Sequence, residues 1–265
     1  MHYVGPLDLL PIWGVFLATV AVVLLAVEGG FRLGQYRRRR SEQEDKPPVG
    51  EMVAATLALL ALLAFMLAFT FGLAASRFDV RRGLVIDEAN AIGTTYLRAG
   101  LLPEPHRSDV RSLLREYVDV RLEAVQPGKL SQSIGRSEEL HARLWAHAVA
   151  VGEKNPGSIV VGLFIASLNE VIDLHAKRLA LGVRNRIPGT IWAALYFVAI
   201  IGTSVMGYHA GLAGSGRSLA LLALVLAFSA VVTLIADLDR PQEGLLRVSQ
   251  QIMIDLQKTL AAPSR

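Results

Sequence analysis

Four uninterrupted apolar runs divide the chain into two pairs with a long charged stretch between them. The runs are Leu9 to Val27, Met52 to Ser76, Pro188 to Tyr208 and Ser218 to Ala236, and none contains a charged side chain. At about 1.5 Å per residue, each can cross most or all of a hydrocarbon core of about 30 Å. Only helices or closed barrels satisfy their backbone groups in lipid, and the runs lack the alternating polarity of barrel strands. The pattern therefore predicts four transmembrane helices.

The charged stretch between the second and third runs has the spacing of amphipathic helices. No stop signal follows Ser76, so we expect the second helix to continue beyond the membrane surface toward Gly100, before the break at Leu101 to Pro105. Apolar residues then recur at intervals of three and four. Further helices are predicted from about Ser108 to Gln126, Ser137 to about Gly152, Asn155 (as N-cap) to about Gly182, and Gly244 to Leu260.

These elements predict an all-α, polytopic membrane protein, with two transmembrane helices on each side of a membrane-proximal helical domain. Residues 1–76 form the first pair with its basic connector, and residues 77–186 form the extramembrane helical domain. Residues 187–236 form the second pair, and residues 237–265 form a helical tail. The polar segment from Arg37 to Pro48 is predicted to be a solvated connector.

The composition is typical of a membrane protein and excludes several classes of chemistry. Hydrophobic residues make up 52% of the 265 residues, and the mean hydropathy is +0.42. The absence of cysteine excludes disulfides, thiolate catalysis and cysteine-ligated metals. Basic residues beside membrane helices set topology or contact head groups, so the net charge of +4 does not indicate nucleic-acid binding.

Membrane topology places the ends of the second and fourth helices on one side, together with the central domain and the tail. Basic residues near the helix ends are almost equally numerous on the two sides. The first run has no basic residue before it and several after it, which favours an outside N-terminus. We interpret this run as a retained anchor, because no small-residue cleavage site follows Val27.

The second apolar run carries a regular stripe of small side chains. The stripe is formed by Ala54, Ala58, Ala61, Phe65, Ala68, Gly72 and Ala75. Small residues let helices approach closely in lipid, so packing is one explanation. The other is that this helix surrounds a pore, with Phe65 and Phe69 as an apolar constriction and Gly72 and Ser76 as further lining residues.

Two groups of charged and polar residues are further candidates. At one membrane surface, Arg77, Asp79, Arg81 and Arg82 lie on the same side as Asp237, Asp239 and Arg240, so the groups can pair structurally or form an ion-attracting vestibule. At the opposite surface, Glu28 and Arg217 are a candidate pair. In the central domain, Asp87, Glu88 and Asn90 are grouped on the extended second helix, and a facing helix with Asn169, Glu170 and Asp173 could complete a polar site or an interhelical contact.

No catalytic or metal constellation is indicated. The six histidines have no metal-ligand spacing and are interpreted as surface or interface residues. Ser215 beside His209 lacks the spacing of a nucleophile elbow. No P-loop or dinucleotide fingerprint is present, so neither an enzyme nor a cofactor is expected.

Two stretches resemble the bacterial bestrophin-like membrane proteins. They run from Ser76 to Arg98 and from Asp237 to Gly244, and the order of elements is similar over nearly the whole chain. Bestrophins form pentameric ion channels in which the second helix lines the pore and apolar side chains form its neck. The chain departs from them after the fourth helix, where only Asp237 and Asp239 stand in place of the acidic run of their calcium clasp.

The resemblance implies a homo-oligomer, with a pentamer as the model, in a bacterial inner membrane and with a cytoplasmic central domain. Its partners would be the lipid bilayer and permeant inorganic ions. The function we expect is a passive ion channel. The alternative is a non-conducting scaffold or signalling protein whose central helices bind a partner.

Overall fold

The computed structural model describes residues 7–40, 49–214, 219–240 and 244–262, and these residues contain helices and no strand. The helices are α1 (Ile12–Arg40), α2 (Val49–Ala99), α3 (His106–Glu123), α4 (Leu130–Lys154), α5 (Ile159–Lys177), α6 (Gly189–Ala213), α7 (Leu219–Asp239) and α8 (Gln251–Ala261). A π-helical turn, Arg178–Arg184, follows α5 directly. The all-α prediction is confirmed for the described residues.

The chain divides into two compact units. The first contains Met1–Arg77 and Arg186–Leu246, and the second contains Phe78–Asn185 and Arg247–Arg265. Helix α2, with 51 residues, contributes to both. The predicted continuation of the second helix toward Gly100 is therefore confirmed.

In the first unit, α1 packs on α6 and α7, and glycines set the distance between α1 and α6. A Cβ atom on Gly30 would collide with the carbonyl group of Ser204, and one on Gly207 would collide with the carbonyl group of Val27. Gly34 and Gly211 have the same relationship to the facing backbone one turn further along. Close backbone approach of this kind is how helices associate in lipid.

The second unit has a continuous hydrophobic core between α3, α4, α5, α8 and the last part of α2. Tyr117, Phe164, Leu144 and Ile92 are fully buried in it. Helix α5 begins after Ser158, whose Oγ accepts from the backbone N–H of Val161 at 3.4 Å. This helix buries one apolar face in the core of its own unit.

Several predicted boundaries are wrong. The N-cap of α5 is Ser158, and Asn155 instead ends α4 by donating its N–H to Val151 and Gly152. Helix α8 begins at Gln251 and not at Gly244, and α4 begins at Leu130, before the predicted Ser137. Arg37 to Arg40 belong to α1, while the rest of the predicted connector and Ser215, Arg217 and Ser218 lie outside the described residues.

Five described helices are long and apolar enough to cross a membrane, one more than the sequence predicts. The additional helix is Ile159–Gly182, which combines α5 with most of the π-helical turn. It differs from the others in burial, because 39% of its apolar window is buried, against 17–33% in the other helices.

Candidate functional site

The membrane half of α2 has one covered and one uncovered face. Leu63, Thr70 and Ala74 are buried and mark the face that packs inside the first unit. Phe65 and Phe69 are 70% and 59% exposed, on the opposite side of the helix. Gly72 and Ser76, which follow at helical spacing, are also exposed. All four pore-lining candidates therefore lie on one uncovered face.

The small residues of the sequence-predicted stripe lie on this uncovered face as well. Ala54, Ala58, Ala61 and Ala68 are exposed, and nothing lies within 4 Å of a Cβ atom built on Gly72. We call the face formed by Ala54, Ala58, Ala61, Phe65, Ala68, Phe69, Gly72 and Ser76 the outward stripe of α2. The described helices of the first unit do not cover it.

Charged groups at the end of α7 are closely paired. Arg186 Nε donates to Asp239 Oδ2 at 3.1 Å, and the backbone N–H of Ile187 donates to Asp239 Oδ1 at 3.0 Å. Arg77 Nη1 lies 3.6 Å from the same Oδ1 atom. Asp239 thereby connects α7 to α2 and to the segment before α6.

The N-terminal segment joins the same network. Arg186 Nη2 donates to Asp8 at 2.5 Å, and Arg240 Nε lies 3.5 Å from Asp8. Arg240 Nη2 also donates to the carbonyl oxygens of Leu7 (2.6 Å) and Leu10 (2.5 Å). Asp8 and Arg186 are not among the predicted members of this group, because no local pattern marks two residues that meet across about 180 positions of the chain.

Asp237 has a different role from Asp239. It accepts the backbone N–H groups of Leu245 and Leu246 at 2.8 and 2.9 Å, which holds the segment after α7 against the helix end. We call Asp8, Arg77, Arg186, Asp237, Asp239 and Arg240 the charge network; it contains three arginines and three aspartates. Of the other predicted members of this group, Asp79 and Arg82 are exposed and Arg81 is buried.

The second unit contains a buried cluster around Glu88. The side chain of Glu88 is fully buried, pairs with Arg178, and lies 3.0 Å from Arg121 Nε. Tyr117 donates its hydroxyl to Glu88 Oε1 at 2.8 Å. Burial and the neighbouring Glu88 carboxylate both raise the pKa of Tyr117, so this phenol stays protonated.

Two histidines pack on Tyr117. The ring centroids of His141 and Tyr117 are 4.9 Å apart, and His175 lies at the same distance from His141. Burial, followed by the charge of Arg121, lowers the pKa of His141 from 6.5 to about 4. The interpretation of these two histidines as surface or interface residues is wrong, because His141 and His175 lie inside the second unit.

The other polar candidates of the central domain do not reach Glu88. Asp87, Asn90, Asn169, Glu170 and Asp173 are exposed. Within the second unit, α5 turns its apolar side to the core, and the residue that reaches Glu88 from this part of the chain is Arg178 of the π-helical turn. Among the described residues, no three histidine, aspartate or glutamate side chains are close enough to hold a metal ion. The Glu88 cluster links α2, α3 and the π-helical turn.

Comparison with known proteins identifies relatives for this arrangement. A family model described as a Bestrophin-like domain matches residues 15–253. A crystal structure of a bacterial bestrophin homologue from Klebsiella pneumoniae, carrying one substitution, is similar with a TM-score of 0.65 at 16% identity over 94% of this chain and 97% of its own. A second variant of that homologue gives 0.64 at 14% identity, over 91% and 97%. No curated protein matches the chain.

Proposed function

Because the chain belongs to the bestrophin-like family, we propose that it assembles into an oligomeric passive ion channel in a membrane, with the outward stripe of α2 lining the pore. The structures it is similar to share its fold at low sequence identity, and they support the fold alone. The assembly, the pore and the permeant ion are our proposal.

The observation that carries the proposal is the uncovered state of the stripe. It presents small residues over several helical turns, while the opposite face of α2 is buried in the first unit. Small side chains let backbones approach closely in lipid. Copies of α2 arranged around an axis would therefore leave a narrow passage along their outward stripes.

Phe65 and Phe69 give this passage a constriction. They are one turn apart, and a ring of such side chains forms an apolar neck that gates by losing water. Beyond Ser76, the same helical spacing continues on α2 with Asp79, Asp87 and Asn90, all exposed. Carboxylates beside a permeation path favour cations, so we propose a preference for cations over anions.

We propose four transmembrane helices, and we place α5 outside the membrane. Helix α5 is apolar enough to span, but Phe164, Leu168 and Val171 are buried in the core of the second unit. Its apolar character is thus used within that unit. The family resemblance supports a cytoplasmic location for this unit and a bacterial inner membrane for the protein.

Recording from the purified full chain in planar bilayers tests the proposal. We expect ohmic currents under both polarities and a higher conductance for Phe65→Ala, because a methyl group replaces the ring at the neck. Phe71→Ala is the matched control, since Phe71 is 40% exposed but lies roughly 120° around the helix from Phe65. Silence of both the wild type and Phe65→Ala, or equal effects of the two variants, would contradict the assignment.

The mass of the detergent-solubilised protein provides a second, independent test. A pore between copies of α2 needs several subunits, with five as the expectation from the family. A monomer would exclude the axial pore while leaving the fold intact.

A non-conducting scaffold is the second candidate, and one surface of the second unit favours it. Leu97, Leu101, Ile159 and Leu163 are all exposed where α2 and α5 meet. The contact between the helices is direct, because Arg98 Nη1 donates to the carbonyl oxygen of Leu163 at 2.8 Å. An exposed apolar surface of this kind marks interaction sites. A silent protein whose partner binding is lost in Leu97→Asp would support the scaffold.

A further inference from the structure

The first unit contains an apolar cavity beside the end of α1. Its volume is about 850 Å³, in the size range of ligand sites. Helix α1 contributes Leu24, Glu28 and Phe31, and α6 contributes Met206 and Ala210. Leu60 of α2 and the first turns of α7, from Leu219 to Leu224, complete the wall. Among the residues that the structure describes, Glu28 is its one ionisable lining residue.

A second cavity extends this space along α7. It has a volume of about 290 Å³ and shares Leu60 and Leu224 with the first cavity. Its lining continues along α7 to Phe228 and Val231. From Leu219 to Val231 the helix rises by about 18 Å, so the two cavities form a crevice long enough for most of an acyl chain. We call these two cavities the α7 crevice.

Arginines follow the cavity-lining face of α1 toward its C-terminus. Each residue turns an α-helix by about 100°, so Arg32, Arg38 and Arg39 lie within roughly 80° of the centre of the face formed by Leu24, Glu28 and Phe31. The guanidinium of Arg38 lies against the C-cap residue of α6, Gly214. Arg40 points away from this face, and its guanidinium lies 5.2 Å from the ring centroid of Tyr36.

We propose that the α7 crevice binds an anionic phospholipid, with an acyl chain between α1, α2 and α7 and the phosphate at Arg32 and Arg39. The apolar length and the basic rim match the two parts of such a lipid. Arg32 already donates to Glu28 at 2.8 Å, which offsets the carboxylate that a phosphate would otherwise meet. A second copy of the same surface fits less well, because it would place arginines against arginines.

Native mass spectrometry of the full chain, exchanged into micelles with equal amounts of phosphatidylglycerol and phosphatidylcholine, tests this proposal. We expect the wild type to retain phosphatidylglycerol preferentially. Arg39→Gln should lower this preference by about fivefold, and Arg39→Lys should keep most of it, because one basic residue near an anionic head group has an effect of this size. Arg40→Gln is the matched control and should leave the preference unchanged.

Two further variants distinguish lipid binding in the α7 crevice from general electrostatic attraction of anionic lipid to the basic surface. Ala210→Trp fills the first cavity, of about 850 Å³, and should reduce retention of both lipids. Glu28→Gln removes the carboxylate and should raise the preference for phosphatidylglycerol. Helicity and elution volume monitor folding, and the comparison of Arg39→Gln with Arg40→Gln still decides the question if Ala210→Trp does not fold. Equal retention of the two lipids by the wild type, or equal losses in Arg39→Gln and Arg40→Gln, would overturn the proposal.

Discussion

Arg186 lies two residues before the N-cap of α6. Its Nε donates to Oδ2 of Asp239, the last residue of α7, at 3.1 Å. Both side chains are buried, with exposures of 8% and 5%. Since Asp239 also accepts from Ile187 and lies near Arg77, this one carboxylate compensates two guanidinium groups and one backbone amide.

Replacing Asp239 should therefore strongly destabilise the first unit. Asp239→Ala removes the carboxylate shared by the buried Arg186 and the partly buried Arg77, and Arg186 keeps only Asp8 as a partner. Removing one partner of a buried pair costs about 3–5 kcal/mol, and the remaining Asp8 contact places the expected loss at the lower end of that range. Asp239→Asn should cost less, because the amide oxygen can still accept from Ile187. Thermal unfolding of the detergent-solubilised protein measures both. Asp79→Asn is the control, because Asp79 is exposed; melting temperatures that do not follow the order control, asparagine, alanine would refute this account.

The interface between α1 and α6 gives a prediction about two adjacent glycines. Gly30→Ala places a methyl group on the carbonyl of Ser204, whereas nothing lies within 4 Å of the position that Gly29→Ala would fill. We expect Gly30→Ala to lower the melting temperature and Gly29→Ala to leave it unchanged or raise it, since alanine is the better helix former. Equal melting temperatures for the two variants would mean that the helices are further apart than the structure shows.

Most of the helices are predictable from the sequence alone, whereas contacts between distant residues are not. The existence of the helices, the continuation of α2 toward Gly100 and the break at Leu101 to Pro105 follow from local patterns and are confirmed. The late start of α8 depends on Asp237, whose carboxylate holds the amides of Leu245 and Leu246 outside a helix. No local pattern encodes that contact.

The buried polar residues of the second unit are only partly predictable from the sequence, for the same reason. The sequence marks Glu88 as a candidate because two carboxylates and an amide, Asp87, Glu88 and Asn90, are grouped on the second helix. Its partners Arg121 and Arg178 come from distant helices, and their choice depends on which face of α5 enters the core. The exposed Asn169 and Glu170 occupy the other face, which periodicity alone did not assign.

Glu88 should be essential for the stability of the second unit. Glu88→Gln leaves Arg121 and Arg178 without the carboxylate that compensates them, so we expect a loss of about 3–5 kcal/mol. Tyr117→Phe removes a single hydrogen bond to Glu88 and should cost about 1–2 kcal/mol. The exposed Glu170→Gln is the matched control and should stay within about 0.5 kcal/mol of the wild type. Denaturant titration followed by tryptophan fluorescence gives these differences, and a neutral Glu88→Gln would show that the buried pairs do not stabilise the fold.

His141 should make the second unit sensitive to acid. Its pKa falls from 6.5 to about 4 on folding, so between these values the unfolded chain binds the proton and the folded chain does not. Stability therefore decreases as the pH falls through this window, by at most about 3 kcal/mol, and the loss is complete below about pH 4. Unfolding measured from pH 7.5 to 4 should show a shallower decrease for His141→Gln than for the wild type. Identical slopes would indicate that the imidazole is solvated in the folded protein.

The glycine contacts between α1 and α6 have a consequence for biosynthesis. Gly30 and Gly34 are made early, whereas Gly207 and Gly211 follow only after the first part of the second unit, Phe78–Asn185, has been translated. Translation proceeds at about 5–20 residues per second, so α6 is synthesised on the order of ten seconds or more after α1. During that interval the glycine-containing surface of α1 is exposed to lipid and to other nascent chains. Pairing with another helix therefore competes with correct assembly until α6 has been synthesised.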